Sequence, residues 1–365
     1  VTQALDEFLP LDGFFDDNVI VQIKNGPLDF QPREPFSPLF GRMTKTTTMV
    51  EFQLTQEYLG FSNHLVYLAP LFSECLHADT YARGLGSTVV RVTDGSLYHS
   101  KYSAIAGVAN IGQDDNWCGH PFAQANWYAF GRLAWNHQLQ SETIAHEWLT
   151  MTFTPDSSFV APITQLMMHS REAAVNYMMP LGLHHIFAWD HHYGPEPWCN
   201  IPGARPDWMP SYYHNASTEG IGFNRTLQGS GAVLQYNEPL RSRFNNLQQC
   251  PENLILWFHF VPWQHVMDNG NTLWEELCHK YQQGVDSVRN FQKTWDRMEP
   301  YIDTQRFMLM QSKLKHQSRD AVWWRDACLL YFQTFSKQPI PYTQERPIYD
   351  LDELKQIKLN LKHHN

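Results

Sequence analysis

Positive charge is scarce in this chain. Its 365 residues carry 27 Lys and Arg against 37 Asp and Glu, a formal net charge of −10. That balance argues against a nucleic-acid partner, because a phosphate backbone is bound by clustered cations. Long apolar runs are missing as well: none reaches the roughly 18 residues of a membrane-spanning helix. Cysteine is sparse, and the six residues at positions 75, 118, 199, 250, 278 and 328 form no C-x-x-C pair. Zinc-ligand spacing is therefore absent. In a chain of this length the six read as buried thiols, which suits a reducing compartment. No signal peptide, internal repeat or low-complexity tract is visible. The compartment (cytoplasmic, periplasmic or secreted) stays open without a known N-terminus.

What is abundant is aromatic surface. Aromatic residues make up 14% of the chain, 13 of them Trp, within a hydrophobic content of 43%. Tryptophan is frequent in sugar-binding proteins, yet it also fills large helical cores, so no single tryptophan marks a site. The length fits two domains at roughly 150 residues each. Patterning divides the chain accordingly. Val19–Ile23 and Met49–Leu54 are rich in Val, Ile and Phe and long enough for buried strands. His64–Ala69, Ser87–Val92 and Ala104–Ile111 are further strand-like runs, with a helix expected over Pro70–Ala82. Beyond Ile111 the period becomes helical: Phe122, Ala125, Ala129 and Leu133; then Leu273, Leu277, Tyr281, Val285, Val288, Phe291, Trp295 and Met298; then Met310, Leu314, Ala321, Trp324, Cys328 and Tyr331. The 273–298 face is long enough for a core or a subunit interface. The stretch 184–250 has no such period and holds most of the His, Gly and Pro; irregular segments of that length are usually functional.

The chemistry gathers in residues 18–57. Each of the first two strands is followed within a few residues by an acid, Asp29 and Glu57, 28 positions apart. Lys24-Asn25-Gly26-Pro27 turns the chain after the first strand and presents a cation. Strand, polar loop and acid in repetition is what a parallel α/β barrel shows at its C-terminal face. Taken alone, the two acids could equally cap helices or pair with Arg33 or Lys24.

The segments VQIKNGPLDFQPREPFSPLFG and EFQLTQEY resemble glycoside hydrolase family 67, the α-glucuronidases that remove glucuronic acid side groups from xylan fragments. The likeness runs to the end of the chain. It implies that Asp29 and Glu57 are the water-activating carboxylates and that Lys24 contacts the uronic acid carboxylate. Arg33 and Glu34 receive no direct role from it and are expected to orient the loop. It also implies that the general acid, a glutamate, lies upstream of these residues, in an enzyme about twice as long. The fold it implies is α/β: the C-terminal half of a TIM (β/α)8 barrel over residues 1–120, then an all-α C-terminal domain over 121–365.

Four histidines and an aspartate crowd the run HHIFAWDHHYGP at 184–195. By composition alone a metal site is open there, since imidazole is a common ligand. The family shares HHYGP and needs no metal, so the resemblance favours a loop in which His191, His192 and Tyr193 shape the xylose end of the substrate. His146-Glu147-Trp148-Leu149-Thr150 starts like a zincin motif but lacks the second histidine. In the family a tryptophan from a helical-domain loop packs on the sugar, a role that falls on Trp208, with Trp198 as the alternative. The expected activity is inverting hydrolysis of the α-1,2 bond between (4-O-methyl-)glucuronic acid and the terminal xylose of a xylooligosaccharide, with no cofactor. The expected partners are the xylan-derived oligosaccharide, the upstream half of the enzyme and a second copy bound through the helical domain. The competing expectation is a catalytically incomplete half-enzyme or sugar-binding scaffold that lacks the proton donor.

Overall fold

A computed structural model describes residues 3–55, 57–109, 111, 116 and 118–359. Strands β1 (Ile20–Lys24), β2 (Thr47–Gln53) and β3 (Ile105–Val108) form a parallel sheet in that order. Lys24 stands opposite Glu51, and Gln53 opposite Val108. On β2, Thr48, Val50 and Phe52 are buried, the alternation of a strand with one face in the core. The ladder runs on at the C-terminal ends, where Asn25 N–H donates to Glu51 O at 3.0 Å and Leu54 N–H to Val108 O at 2.8 Å. The segments carrying Asp29 and Glu57 therefore leave neighbouring strands at the same edge of the sheet. Gly107 is the residue that lets β3 lie flat here, because a Cβ would sit 2.6 Å from the Leu54 side chain.

Two of the expected strands are something else. Ser87–Val92 turns into the short helix Val89–Thr93, started by the Thr88 side chain accepting from Arg91 N–H. His64–Leu68 runs outside any strand, and the following helix, Ala69–His77, stops short of the predicted end at Ala82. The backbone of His64–Leu68 is satisfied by side chains instead of a neighbouring strand. Leu65 N–H donates to Gln317 Oε1 at 2.9 Å, Tyr67 N–H to Ser170 Oγ at 2.8 Å and Leu68 N–H to Asn126 Oδ1 at 2.8 Å. Asn126 and Gln317 amides donate back to the carbonyls of Val66 and Leu65. An apolar run reveals burial but not who pairs with its backbone.

From residue 121 helices dominate: Pro121–Trp135, Ser141–Thr152, Ser157–Met178, Leu273–Asp296 and Thr304–Ser336. One antiparallel pair, Gly220–Ile221 with Val261–Pro262, interrupts the expected all-helical region. A capping box of Thr272 and Glu275 starts Leu273–Asp296. Its periodic stripe, from Leu273 through Trp295, is buried and packs on Ser157–Met178 and Thr304–Ser336, so this face belongs to the core and not to an interface. At Gly284 the crossing with Ser157–Met178 leaves no room for a side chain: a Cβ would lie 2.4 Å from the Tyr177 nitrogen. One continuous apolar core joins sheet residues such as Val50 and Phe52 to helical residues such as Trp295 and Leu314.

Candidate active site

Asp29 sits on a loop held from below by a buried carboxyl group. Glu34 takes N–H bonds from Leu28 at 2.8 Å and Gln31 at 3.0 Å, one on each oxygen and on either side of Asp29. Burial pushes the Glu34 carboxyl up to about 8, against the pull of those two donors. Gly26 makes this packing possible, since a Cβ there would stand 2.0 Å from the Glu34 carboxyl carbon. Arg33 turns the other way, to Glu172 and, at 3.6 Å, to Glu74. Arg171 joins it, donating to Glu74 at 2.6 Å and to the Pro32 carbonyl at 3.1 Å. Arg33 and Glu34 thus anchor the loop, the role expected of them, and Arg33 does not neutralise Asp29.

Above this anchor the two oxygens of Asp29 are occupied separately. Lys24 Nζ donates to one, and the Tyr58 hydroxyl to the other at 2.5 Å. Burial, followed by the bond to Asp29, keeps the Tyr58 phenol protonated far beyond its ordinary range. The Tyr58 ring lies 5.0 Å from the His192 ring, and His192 Nδ1 is 3.6 Å from Glu57 Oε1. Gln53 Nε2 donates to the other Glu57 oxygen at 3.2 Å. Lys24, Asp29, Tyr58, His192 and Glu57 therefore form one continuous polar strip across the ends of β1 and β2.

His192 and Trp208 line the same cavity of about 260 Å³, with His185, Phe187 and Trp189 around them. Trp208 is half-exposed, with its ring centroid 6.4 Å from that of Trp189 and the Arg205 guanidinium 5.1 Å from its face. Trp198 packs on Tyr331 instead and is not among the cavity residues. His191 also stands apart, with Nδ1 accepting from Tyr193 N–H at 3.1 Å; burial lowers its pKa. His185, lowered by burial and then by nearby His192, packs its ring 4.7 Å from Tyr213. His184 lies deeper, 4.0 Å from the Trp257 ring and 3.1 Å from Arg225 Nη2, and is held neutral by burial. Of the four histidines of the run, His185 and His192 share the cavity, their ring centroids 6.3 Å apart, while His184 and His191 lie in other environments. Among the described residues no three His, Cys, Asp or Glu side chains converge as metal ligands would.

Tyr58 was missed in the sequence. It stands beside Glu57 in EFQLTQEY, but an aromatic residue at a strand end reads as packing, and its reach to Asp29 depends on the parallel register of β1 and β2.

Residues 1–117 match the family described as Glycosyl hydrolase family 67 middle domain, and residues 118–345 the Glycosyl hydrolase family 67 C-terminus. An alpha-glucuronidase of Hypocrea jecorina is 37% identical over 338 residues, 92% of this chain and 39% of that protein. Alpha-glucuronidase A of Emericella nidulans is 37% identical over 93% of this chain and 39% of its own length. A probable alpha-glucuronidase A of Aspergillus niger is 34% identical over 92% of this chain and 40% of its own length. The chain spans about two fifths of the length of these curated relatives. With both segments matched in sequence order along nearly all of its residues, this chain belongs to glycosyl hydrolase family 67.

Proposed function

We propose that this chain supplies the water-activating face of an α-glucuronidase that cleaves the α-1,2 bond between (4-O-methyl-)glucuronic acid and the terminal xylose of a xylooligosaccharide. In this reading β1–β3 belong to the last strands of a (β/α)8 barrel, whose C-terminal half occupies residues 1–120, and 121–365 is the helical domain. The observation that carries the proposal is the strip from Lys24 to Glu57 at the C-terminal strand ends, with a tryptophan-lined cavity beside it. An inverting glycosidase needs a carboxylate to deprotonate water on the face opposite the leaving group. Asp29 and Glu57 take that role. Tyr58 and Lys24 fix the Asp29 carboxylate, and Gln53 and His192 flank Glu57, so a water between the two acids meets acceptors already oriented. Lys24 holds the uronate. Its pair with Asp29 is half-exposed, at 44% and 39% of the two side chains, and a pair of that kind contributes under about 1 kcal/mol, so an arriving carboxylate can share the ammonium. Trp208 and His192 line the sugar cavity, and His191 shapes the loop from outside it. The proton donor is a carboxylic acid outside these residues. The second copy of a homodimer would sit on helical-domain surface other than the buried 273–298 face, and exposed Tyr342, Ile348 and Tyr349 are apolar groups on such a surface.

The test is proton NMR of an aldouronic oligosaccharide incubated with the complete protein and with its Asp29→Asn and Glu57→Gln variants. β-Glucuronate released first, and turnover reduced by about 10²–10⁴-fold in each variant, is the expected result. Early α-glucuronate would overturn inversion. Undiminished turnover in both variants would overturn the assignment of the two acids.

A further inference from the structure

The strip described above joins two loops that are far apart in sequence, one carrying Glu57 and Tyr58, the other His192. Within the strip the two loops meet at the Tyr58 and His192 rings, 5.0 Å between centroids, and at His192 Nδ1 and Glu57 Oε1, 3.6 Å apart. They also meet through a buried carboxylate behind it. Tyr193, the neighbour of His192, donates its hydroxyl to Asp320 Oδ2 at 2.6 Å. On the other side, His64 Nε2 lies 2.7 Å from the same oxygen, with the Tyr177 hydroxyl 2.8 Å from its Nδ1. His64 forms the floor of the Glu57 loop: a Cβ on Gly60 would stand 2.5 Å from its ring. Phe61 of that loop stacks on Tyr193 at 5.8 Å. His316, one turn before Asp320 on the same helix, contributes a third group, its Nε2 at 3.3 Å. Gly194 completes the seat against Trp323, whose ring would be 2.1 Å from an added Cβ.

We propose that Asp320 is a positioning residue for the water-activating site: one carboxylate oxygen on helix Thr304–Ser336 gathers His64 under the Glu57 loop and Tyr193 beside His192, and so sets the distance between the two halves of the site. The inference rests on the function proposed above. Asp320 touches neither the cavity nor the acids; it acts through Tyr193 and His64. Its burial requires such partners, because a desolvated carboxylate without donors is costly. Here three groups meet one oxygen, and the pull of His316 and His64 holds the carboxyl far below the usual carboxylate range despite burial. Removing the charge frees both loops to drift. Misplacement on the scale of an ångström costs up to about 10²-fold in rate.

The experiment compares Asp320→Asn, Tyr193→Phe and their double variant in the complete protein, with Asp326→Asn as control. Asp326 is a buried carboxylate on the same helix, paired with Arg325 away from the site. The expected result is a fall in kcat of at least about tenfold in Asp320→Asn with KM within threefold, a smaller fall in Tyr193→Phe, and no further loss in the double variant. Asp326→Asn should lower Tm and leave the kcat of the folded enzyme unchanged. If Asp320→Asn and Asp326→Asn lower Tm alike and neither changes kcat of the folded enzyme, Asp320 is only structural and the proposal is overturned. Glu57→Gln, run in parallel, separates this from failure of the functional reading: retained turnover there would indict the site itself.

Discussion

The loops at the strand ends and the helices behind them use polar groups in opposite ways. In the loops, charged groups stand half-exposed and are shared: Asp29 divides its oxygens between Lys24 and Tyr58. In the helical region the charged groups that stand out are buried and paired with one another. Asp320 collects three partners, and Arg325 lies fully buried against Asp326 with Glu345 at 3.2 Å. The lesson is a division of labour. Groups that must exchange partners for a substrate are kept in weak, solvated pairs, and groups that must not move are desolvated and held by other buried groups.

This contrast can be broken most forcefully from the helical side. Trp295 is buried, donates its indole N–H to the Phe307 carbonyl at 3.0 Å and stacks on the Phe307 ring. Trp295→Ala should destabilise the fold by about 3–5 kcal/mol in denaturant titration, leaving the kcat of the remaining folded enzyme intact. A large kcat loss in that folded fraction would show that the helices do more than support. Next in size is Glu34, where the loop uses a buried group. Its folded pKa of about 8 lies above the unfolded value near 4.5, so the folded state binds the extra proton between those limits. Stability is then fully present below about 4.5 and declines as pH rises towards 8, by up to about 1.4 kcal/mol per pH unit. Thermal melts should show that slope in the parent and a flatter one in Glu34→Gln. The smallest stability effect belongs to Lys24→Met: under about 1 kcal/mol, with KM for the uronate substrate rising well over tenfold. A stability loss above 2 kcal/mol, on the order of a broken buried pair, would erase the distinction between the two kinds of charge.

Much of this division was legible in the sequence. The stripe from Leu273 to Trp295 is the helix its period indicates, and of the two uses the period allows, core or interface, it serves the core; Val19–Ile23 and Met49–Leu54 fall within a residue or two of β1 and β2. Asp29, Glu57, Lys24, His192 and Trp208, singled out by strand ends and by the family resemblance, lie together in one polar strip and the cavity beside it. Apart from the locally capped helix Val89–Thr93, the misreadings share one cause. His64–Leu68 looks like a strand because it is apolar, but its backbone partners come from Asn126, Ser170 and Gln317, up to 252 positions away. Asp320 looks like one more charge on a solvated helix face, and only the fold brings Tyr193 and His64 to it. Tyr58 hides for the same reason. Local pattern reports burial and period; it does not report which distant polar group closes a pair.

The side-chain pairing of His64–Leu68 has a consequence for how the chain acquires its shape. A strand can recruit its partner from the next strand along, but this segment depends on three helices, the last of which begins at Thr304. Its amides therefore close late, over a loop whose entropy must be met in full before the bond forms. Leu65, Tyr67 and Leu68 N–H groups should therefore report assembly of the whole molecule, and hydrogen exchange should find them among the slowest amides even though no sheet protects them.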